Sequence, residues 1–216
     1  KGGLLLSKSI ATNSIYNFLL KVFRLIVPIL VGPYIQRLFD IQLYGVFNDA
    51  TTWVDFSLVF GVFGIYTYGV REVAGIRDSK ARCRQLYSSL FVIGLCTNGI
   101  VFLAYCGTVL WSIDSMSRII YLVLGCKIFA NIFMVEWLNE AIENYRFITI
   151  KTVVVRLLYV IGIFTLIREP DDVVRYCLLI IATDLLNNLI SFVYVTRKIP
   201  LQLSHLELKR HFFPLL

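Results

Sequence analysis

This sequence is short of everything a soluble enzyme or a metal centre is built from. Of its 216 residues only 16% are charged, and there are two histidines, His205 and His211, both near the C-terminal end. No HExxH, Gly-x-Ser-x-Gly or Walker loop occurs, which removes the common zinc-hydrolase, serine-hydrolase and nucleotide-binding signatures. The five cysteines (Cys83, Cys96, Cys106, Cys126, Cys177) form no CxxC pair or metal-ligand spacing, and most fall in apolar runs where a free thiol behaves as a small hydrophobe. We expect no disulfide, no metal, no cofactor and no catalytic role. A cleavable leader is not expected either, because Leu4–Leu6 is too short for its apolar core. The first residue is Lys rather than Met, so the expectation is a trimmed or incomplete N-terminus.

What is abundant is apolar surface: 58% hydrophobic residues, 14% aromatics and a mean hydropathy of +0.75, far above a soluble domain. Crossing about 30 Å of hydrocarbon takes about 20 apolar helical residues. Six stretches meet that requirement, at 15–38, 43–68, 86–110, 119–138, 148–167 and 176–195. These runs are continuous, which excludes a β-barrel's short alternating segments. The prediction is an all-α, polytopic membrane protein divided into an N-terminus at 1–14, a six-helix region at 15–195 and a tail at 196–216.

Loop charge predicts orientation, since Lys and Arg accumulate on the cytoplasmic side. One side collects Lys1, Lys8, Arg71, Arg77, Lys80, Arg82, Arg84, Arg146, Lys151, Arg197, Lys198, Lys209 and Arg210; the other has Arg37, Arg118, Arg168 and Arg175. Thirteen against four places both ends of the chain in the cytoplasm. Trp111, Trp137 and several tyrosines fall near span ends, as an interfacial belt does. The net charge of +7 then reads as basic loops facing anionic lipid, and needs no nucleic acid.

The spans carry polar stripes. Asn17, Lys21, Arg24, Pro28 and Gly32 recur at helical spacing in the first. Asn48, Thr52 and Asp55 align in the second, and Lys127 and Asn131 in the fourth. The fifth has Thr149, Thr152, Arg156 and Tyr159; the sixth has Asp184, Asn187 and Ser191. A charge at the bilayer centre costs about 2.5–3.5 kcal/mol, so Lys21, Arg24, Asp55, Lys127, Arg156 and Asp184 must face one another or water. Lys21 is equally well placed to snorkel toward the headgroups. Four cations against two acids predict a hydrated cationic cavity that accepts an anion. Asp55, Glu136 and Asp184 are candidate coupling acids, with buried ion pairing the preferred reading for each. Pro28 and Pro33 read as a kink or a hinge.

Four segments resemble polysaccharide flippases of the multidrug/oligosaccharidyl-lipid/polysaccharide exporter superfamily. YTYGVREVAGIRDSKARCRQLYSSLF (66–91) is similar to that family's link between its second and third helices, with Gly69, Arg71, Glu72, Arg77 and Asp78 in matching order. VEWLNEAIENYRFITIKT (135–152) is similar to the passage from the fourth helix into the fifth, NSIYNFLLKVFRLIVPILVGPYIQRLF (13–39) to the first helix, and EPDDVVRYCLL (169–179) to the approach to the sixth. The resemblance implies one lobe of a two-lobe exporter that carries polyprenyl-pyrophosphate-linked oligosaccharide across the bacterial cytoplasmic membrane, for O-antigen or capsule. It implies that Lys21 and Arg24 are cavity cations, joined by Lys127 and Arg156, and that glycosyltransferases or a polymerase of the same pathway are neighbours. Family members have two such lobes, so the expectation is that the second lies outside this chain. Two other readings compete: an exporter of small organic molecules, disfavoured for organic cations by the cavity cations, and a non-transporting scaffold that recruits assembly enzymes through the 70–84 loop.

Overall fold

The computed structural model describes residues 10–204 and 206–215, with side chains for all of these but 10–14 and Arg24. The described residues contain helices and no strand. In chain order the helices are α1 (Ile10–Leu38), α2 (Ile41–Val62), α3 (Ile65–Ile76), α4 (Lys80–Ser112), α5 (Arg118–Ala130), α6 (Glu136–Ala141), α7 (Tyr145–Leu166), α8 (Val173–Lys198) and α9 (Leu208–Phe212). Six helical stretches are long and apolar enough to cross a membrane: α1, α2 with α3, α4, α5 with α6, α7 and α8. The chain is therefore a multi-pass, all-α membrane protein.

The helices run several residues past the predicted spans, so the loops are shorter than the sequence suggests. The basic 70–84 segment is mostly helix, and only Arg77, Asp78 and Ser79 separate α3 from α4. α1 passes unbroken through Pro28 and Pro33. Breaks occur instead in the second and fourth spans. Phe63 (φ 46°) and Gly64 (φ 71°) both adopt the left-handed region between α2 and α3; glycine does so freely and phenylalanine does not. Thr97 Oγ1 and Asn98 Nδ2 donate to the Gly61 carbonyl beside that break, at 2.9 and 3.0 Å. The fourth span tightens into a 3₁₀ turn at Asn131–Phe133 before α6 begins at Glu136.

The packing forms two apolar cores. One joins α1, α2, α5, α7, the C-terminal half of α4 and the start of α8, through residues such as Val31, Val54, Tyr105, Leu124, Ile163 and Tyr176. The other joins α3, α6, the start of α4 and the end of α8, around Tyr87, Leu90, Trp137 and Leu138. α5 is central, packing on α2, α4 and α8, while α1 packs along α7. Residues after α8 fold back as a strap. Arg84 Nε donates to Pro200 O (2.8 Å), Ser89 Oγ accepts from Glu207 N (3.0 Å), and Phe212 stacks on Phe63. Arg77, Arg84, Arg146, Arg197 and Lys198 all lie at the strap's end of the bundle, tied together by Arg77–Glu143 and Asn144–Tyr194 contacts.

The opposite end is closed by the turn before α8. Asp172 Oδ2 accepts the Arg168 and Glu169 backbone N–H groups, and Oδ1 accepts from Arg175 Nη1 at 2.6 Å. These backbone donors hold its carboxyl below the usual carboxylate range, with Arg175 adding to the effect. Asp172 is thus buried and organises the turn.

Candidate functional site

Polar residues of four spans meet at one cleft, although Asn48 and Thr52 of the second span are exposed outside its lining. It comprises two adjoining cavities of about 220 and 150 Å³ that share Arg156, Tyr159, Thr183 and Asp184. α5 contributes Lys127 and α2 contributes Thr51 to the larger; Glu136, Thr152 and Asn187 line the smaller. Arg156 lies at the midpoint of α7 and Asp184 next to the midpoint of α8, so these charges sit at mid-span.

Each charge in the cleft has an answering one. Lys127 Nζ donates to Asp55 Oδ1 at 2.9 Å, from α5 to α2. The pair lies at the surface of the lobe on the Asp55 side, whose side chain is 57% exposed against 31% for Lys127. Asp184 lies within electrostatic reach of Lys127, Arg156 and Asp55. The Arg156 guanidinium lies 5.9 Å from the ring centroid of Tyr159, whose hydroxyl is 3.2 Å from that of Tyr176. Four of the six charged residues expected at the cavity, Asp55, Lys127, Arg156 and Asp184, are thus brought together.

Lys21 is not. Lys21 is exposed on α1, outside the cleft lining, and the α1 face that packs on α7 is apolar, through Leu20, Val27, Val31 and Ile35. Arg24, the remaining candidate, falls outside the described side chains. The expected excess of positive charge changes accordingly. Among the described residues at the cleft, Lys127 and Arg156 face Asp55 and Asp184, Glu136 in the wall is paired with Lys151, and the formal charges balance.

The sequence reading missed the most buried cation. Lys151, counted there as a loop charge, lies inside α7 with its side chain 2% exposed. Its Nζ bonds Glu136, donates to Ser191 Oγ at 2.7 Å and reaches Asn187 O at 3.3 Å. Lys151 therefore ties α7 to α8 and to the first residue of α6. Five residues at about 100° each put Lys151 about 140° around α7 from Arg156, so the stripe that holds Arg156 gave no signal for it. Glu136 takes the structural ion pair preferred for it above. Asn131, assigned to a cavity stripe, instead donates to Asn98 Oδ1 at 3.0 Å.

Two buried oxygens in the smaller cavity, Thr152 Oγ1 and Asn187 Oδ1, have no hydrogen-bond partner in the protein. Buried polar atoms are rarely left unsatisfied, and about 150 Å³ accommodates several waters at about 30 Å³ each. The cleft can therefore hold water, or the polar part of a ligand, at mid-span. Among the described residues no group of three or more His, Cys, Asp or Glu side chains could hold a metal ion.

Comparison with known proteins agrees with this architecture. No solved structure matches the chain. A protein of Shigella dysenteriae named "Putative O-antigen transporter" is 21% identical over 164 residues, which is 75% of this chain and 41% of that protein. The chain thus spans about two-fifths of the length of the relative it matches. A family model described as polysaccharide biosynthesis protein matches residues 10–216, nearly the whole sequence, and the chain belongs to that family.

Proposed function

We propose that this chain supplies the N-terminal lobe of a flippase. Its substrate would be a polyprenyl-pyrophosphate-linked oligosaccharide, carried across the bacterial cytoplasmic membrane for surface polysaccharide synthesis. The observation that carries the reading is the mid-span cleft with Arg156, Lys127, Asp55 and Asp184, in a member of a polysaccharide biosynthesis family. Ionisable groups at that depth mark substrate or ion pathways. Transport, not catalysis, is what such a hydrated cleft suits, and alternating access would use a second lobe packed against this one.

The balanced charge gives the mechanism its form. An unpaired cation held in the membrane is expensive, and pairing Lys127 with Asp55 removes much of that cost while the site is empty. An arriving pyrophosphate offers Arg156 bidentate oxygens and Lys127 a second anion. It competes with Asp55 and Asp184 for partners already in place, so binding is an exchange of anions and release is its reverse. The gathering of basic residues at the strap's end supports placing that end, and both ends of this chain, in the cytoplasm.

Replacing Arg156 by Ala in the complete protein tests this. Losing one charge-assisted contact predicts a fall in export of about tenfold or more at unchanged abundance in the membrane. Normal export at normal abundance would remove Arg156 from the substrate path.

A further inference from the structure

A separate feature lies on the outer surface of α7 and α8, at the strap's end of the bundle. A shallow groove of about 580 Å³ runs along α8 from Leu189 to Lys198, with Phe147 of α7 as its other wall. Ile190 and Val193 in its floor are exposed, at 36% and 45%. At about 1.5 Å per residue the groove is about 14 Å long, and its apolar stretch from Leu189 to Tyr194 is about 8 Å, enough for part of one acyl chain.

Its apolar length ends abruptly in a polar rim. Phe147 and Tyr194 stack with ring centroids 3.9 Å apart, and Lys198 Nζ lies 4.4 Å from the Tyr194 centroid while donating to its hydroxyl at 2.5 Å. Arg197 joins Lys198 in the lining, and Arg146, the residue before Phe147, is exposed at the same end. No acidic residue lines the groove, and Arg146, Arg197 and Lys198 have no carboxylate partner among the described residues. Arg77, Lys127 and Arg210, by contrast, each hold an acid. An aromatic pair at the boundary, an apolar slot beside it and an uncompensated basic rim together describe a two-part ligand, a hydrocarbon chain with an anionic head.

We infer that this groove binds an anionic diacyl phospholipid of the surrounding membrane, one acyl chain lying along Leu189–Val193 and the phosphate between Arg146 and Arg197. The assignment does not depend on what the mid-span cleft carries. Its role is to anchor the end of α8 and the start of α7, which Asn144 Nδ2 already joins through Tyr194 Oη at 2.9 Å.

The test is native mass spectrometry of the full chain in detergent with equal phosphatidylglycerol and phosphatidylcholine. The wild type is expected to retain phosphatidylglycerol preferentially. The double variant R146A/R197A should retain it about thirtyfold less, since each basic residue near an anionic headgroup contributes about a factor of five. V193W fills the slot without changing charge or disturbing a buried residue, and should also lower retention. Equal retention of the two lipids by the wild type would overturn the inference, as would wild-type retention in both variants. In a second mixture of equal phosphatidylglycerol and polyprenyl phosphate, preferential capture of polyprenyl phosphate would also overturn it, in favour of the carrier lipid.

Discussion

Replacing Lys151 by Met removes the cation from the most enclosed ion pair in the described structure. The Lys151 side chain is 2% exposed and that of Glu136 is 13% exposed. The methionine fills a similar volume, so packing is nearly conserved and the electrostatic loss dominates. Glu136 is left without its bonded cation, and Ser191 Oγ and Asn187 O each lose a charged donor. Breaking one side of a buried pair costs about 3–5 kcal/mol, against less than about 1 kcal/mol for an exposed pair such as Arg77–Glu143. Removing both charges, in K151M/E136Q, should recover much of the loss, because no isolated charge then remains. Unfolding of the purified protein in detergent by a graded denaturant would measure K151M, E136Q and K151M/E136Q as a double-mutant cycle. A cost for K151M below about 1 kcal/mol, or a double variant no better than the single, would refute the claim that this pair locks α6 to α7 and α8.

Other perturbations follow from single contacts. A Cβ added at Gly69 would stand 2.5 Å from the Trp137 ring, which is fully buried, so G69A should cost about 1–3 kcal/mol of stability. G75A in the same helix meets nothing within 4 Å and should be neutral or stabilising by up to about 1 kcal/mol, so equal effects in a thermal melt would contradict the packing. Asn98 is buried and bonds Gly61 O, Gly94 O and Asn131; N98L should cost about 1–3 kcal/mol for each polar group left bare, and raise amide exchange near Gly61 and Asn131 together. His211 is buried against the Tyr68 hydroxyl at 2.9 Å, and burial pushes its imidazole below the ordinary value of 6.5 despite the pull of Glu207. Glu72 acts with Glu207, and Arg210 acts with burial. The unfolded strap therefore binds the proton first, so its stability is complete above about pH 6.5 and declines as pH falls through the lowered folded value. The protection factors of residues 208–215, amide exchange taken relative to the intrinsic rate at each pH, should fall between pH 7.5 and 5.5 in the wild type and lose that dependence in H211F; pH-independent protection in the wild type would contradict it.

The spans were legible because hydropathy reads the membrane's one strong demand, a long apolar helix. The charged residues of the cleft were legible for a related reason: Asp55, Lys127, Arg156 and Asp184 interrupt those helices where lipid would penalise them. What the one-dimensional pattern could not supply was which stripe meets which. Asn131 shares a stripe with Lys127, yet α5 ends just before it and the 3₁₀ turn turns it toward Asn98. Lys21 shares a stripe with Arg24, yet α1 packs through its apolar side and leaves Lys21 exposed. The break at Phe63–Gly64 did have a signal in Gly61 and Gly64, three residues apart, the first needed because Asn98 approaches within 2.6 Å of where its Cβ would be. The break before α6 had none, since neither Gly nor Pro occurs from Asn131 to Val135.

The two breaks explain why the lobe has two cores. A membrane helix can be interrupted only where neighbours satisfy the freed backbone groups. Here Thr97 and Asn98 take the Gly61 carbonyl, Asn188 Nδ2 takes the Ala130 carbonyl at 3.0 Å, and Asn98 holds Asn131 between them. Both interruptions thus fall on one polar layer, with the α3–α6 core on one side and the core built on α5 and α7 on the other. α3 and α6 pack on each other across Gly69 and Trp137, so they form one body beyond that layer. Glu136 is the first helical residue of that body, and it lines the smaller cavity while bonding Lys151. Any displacement of α6 must therefore move a carboxylate at the cleft wall, and any change in the cleft's charge acts directly on the helix that begins there.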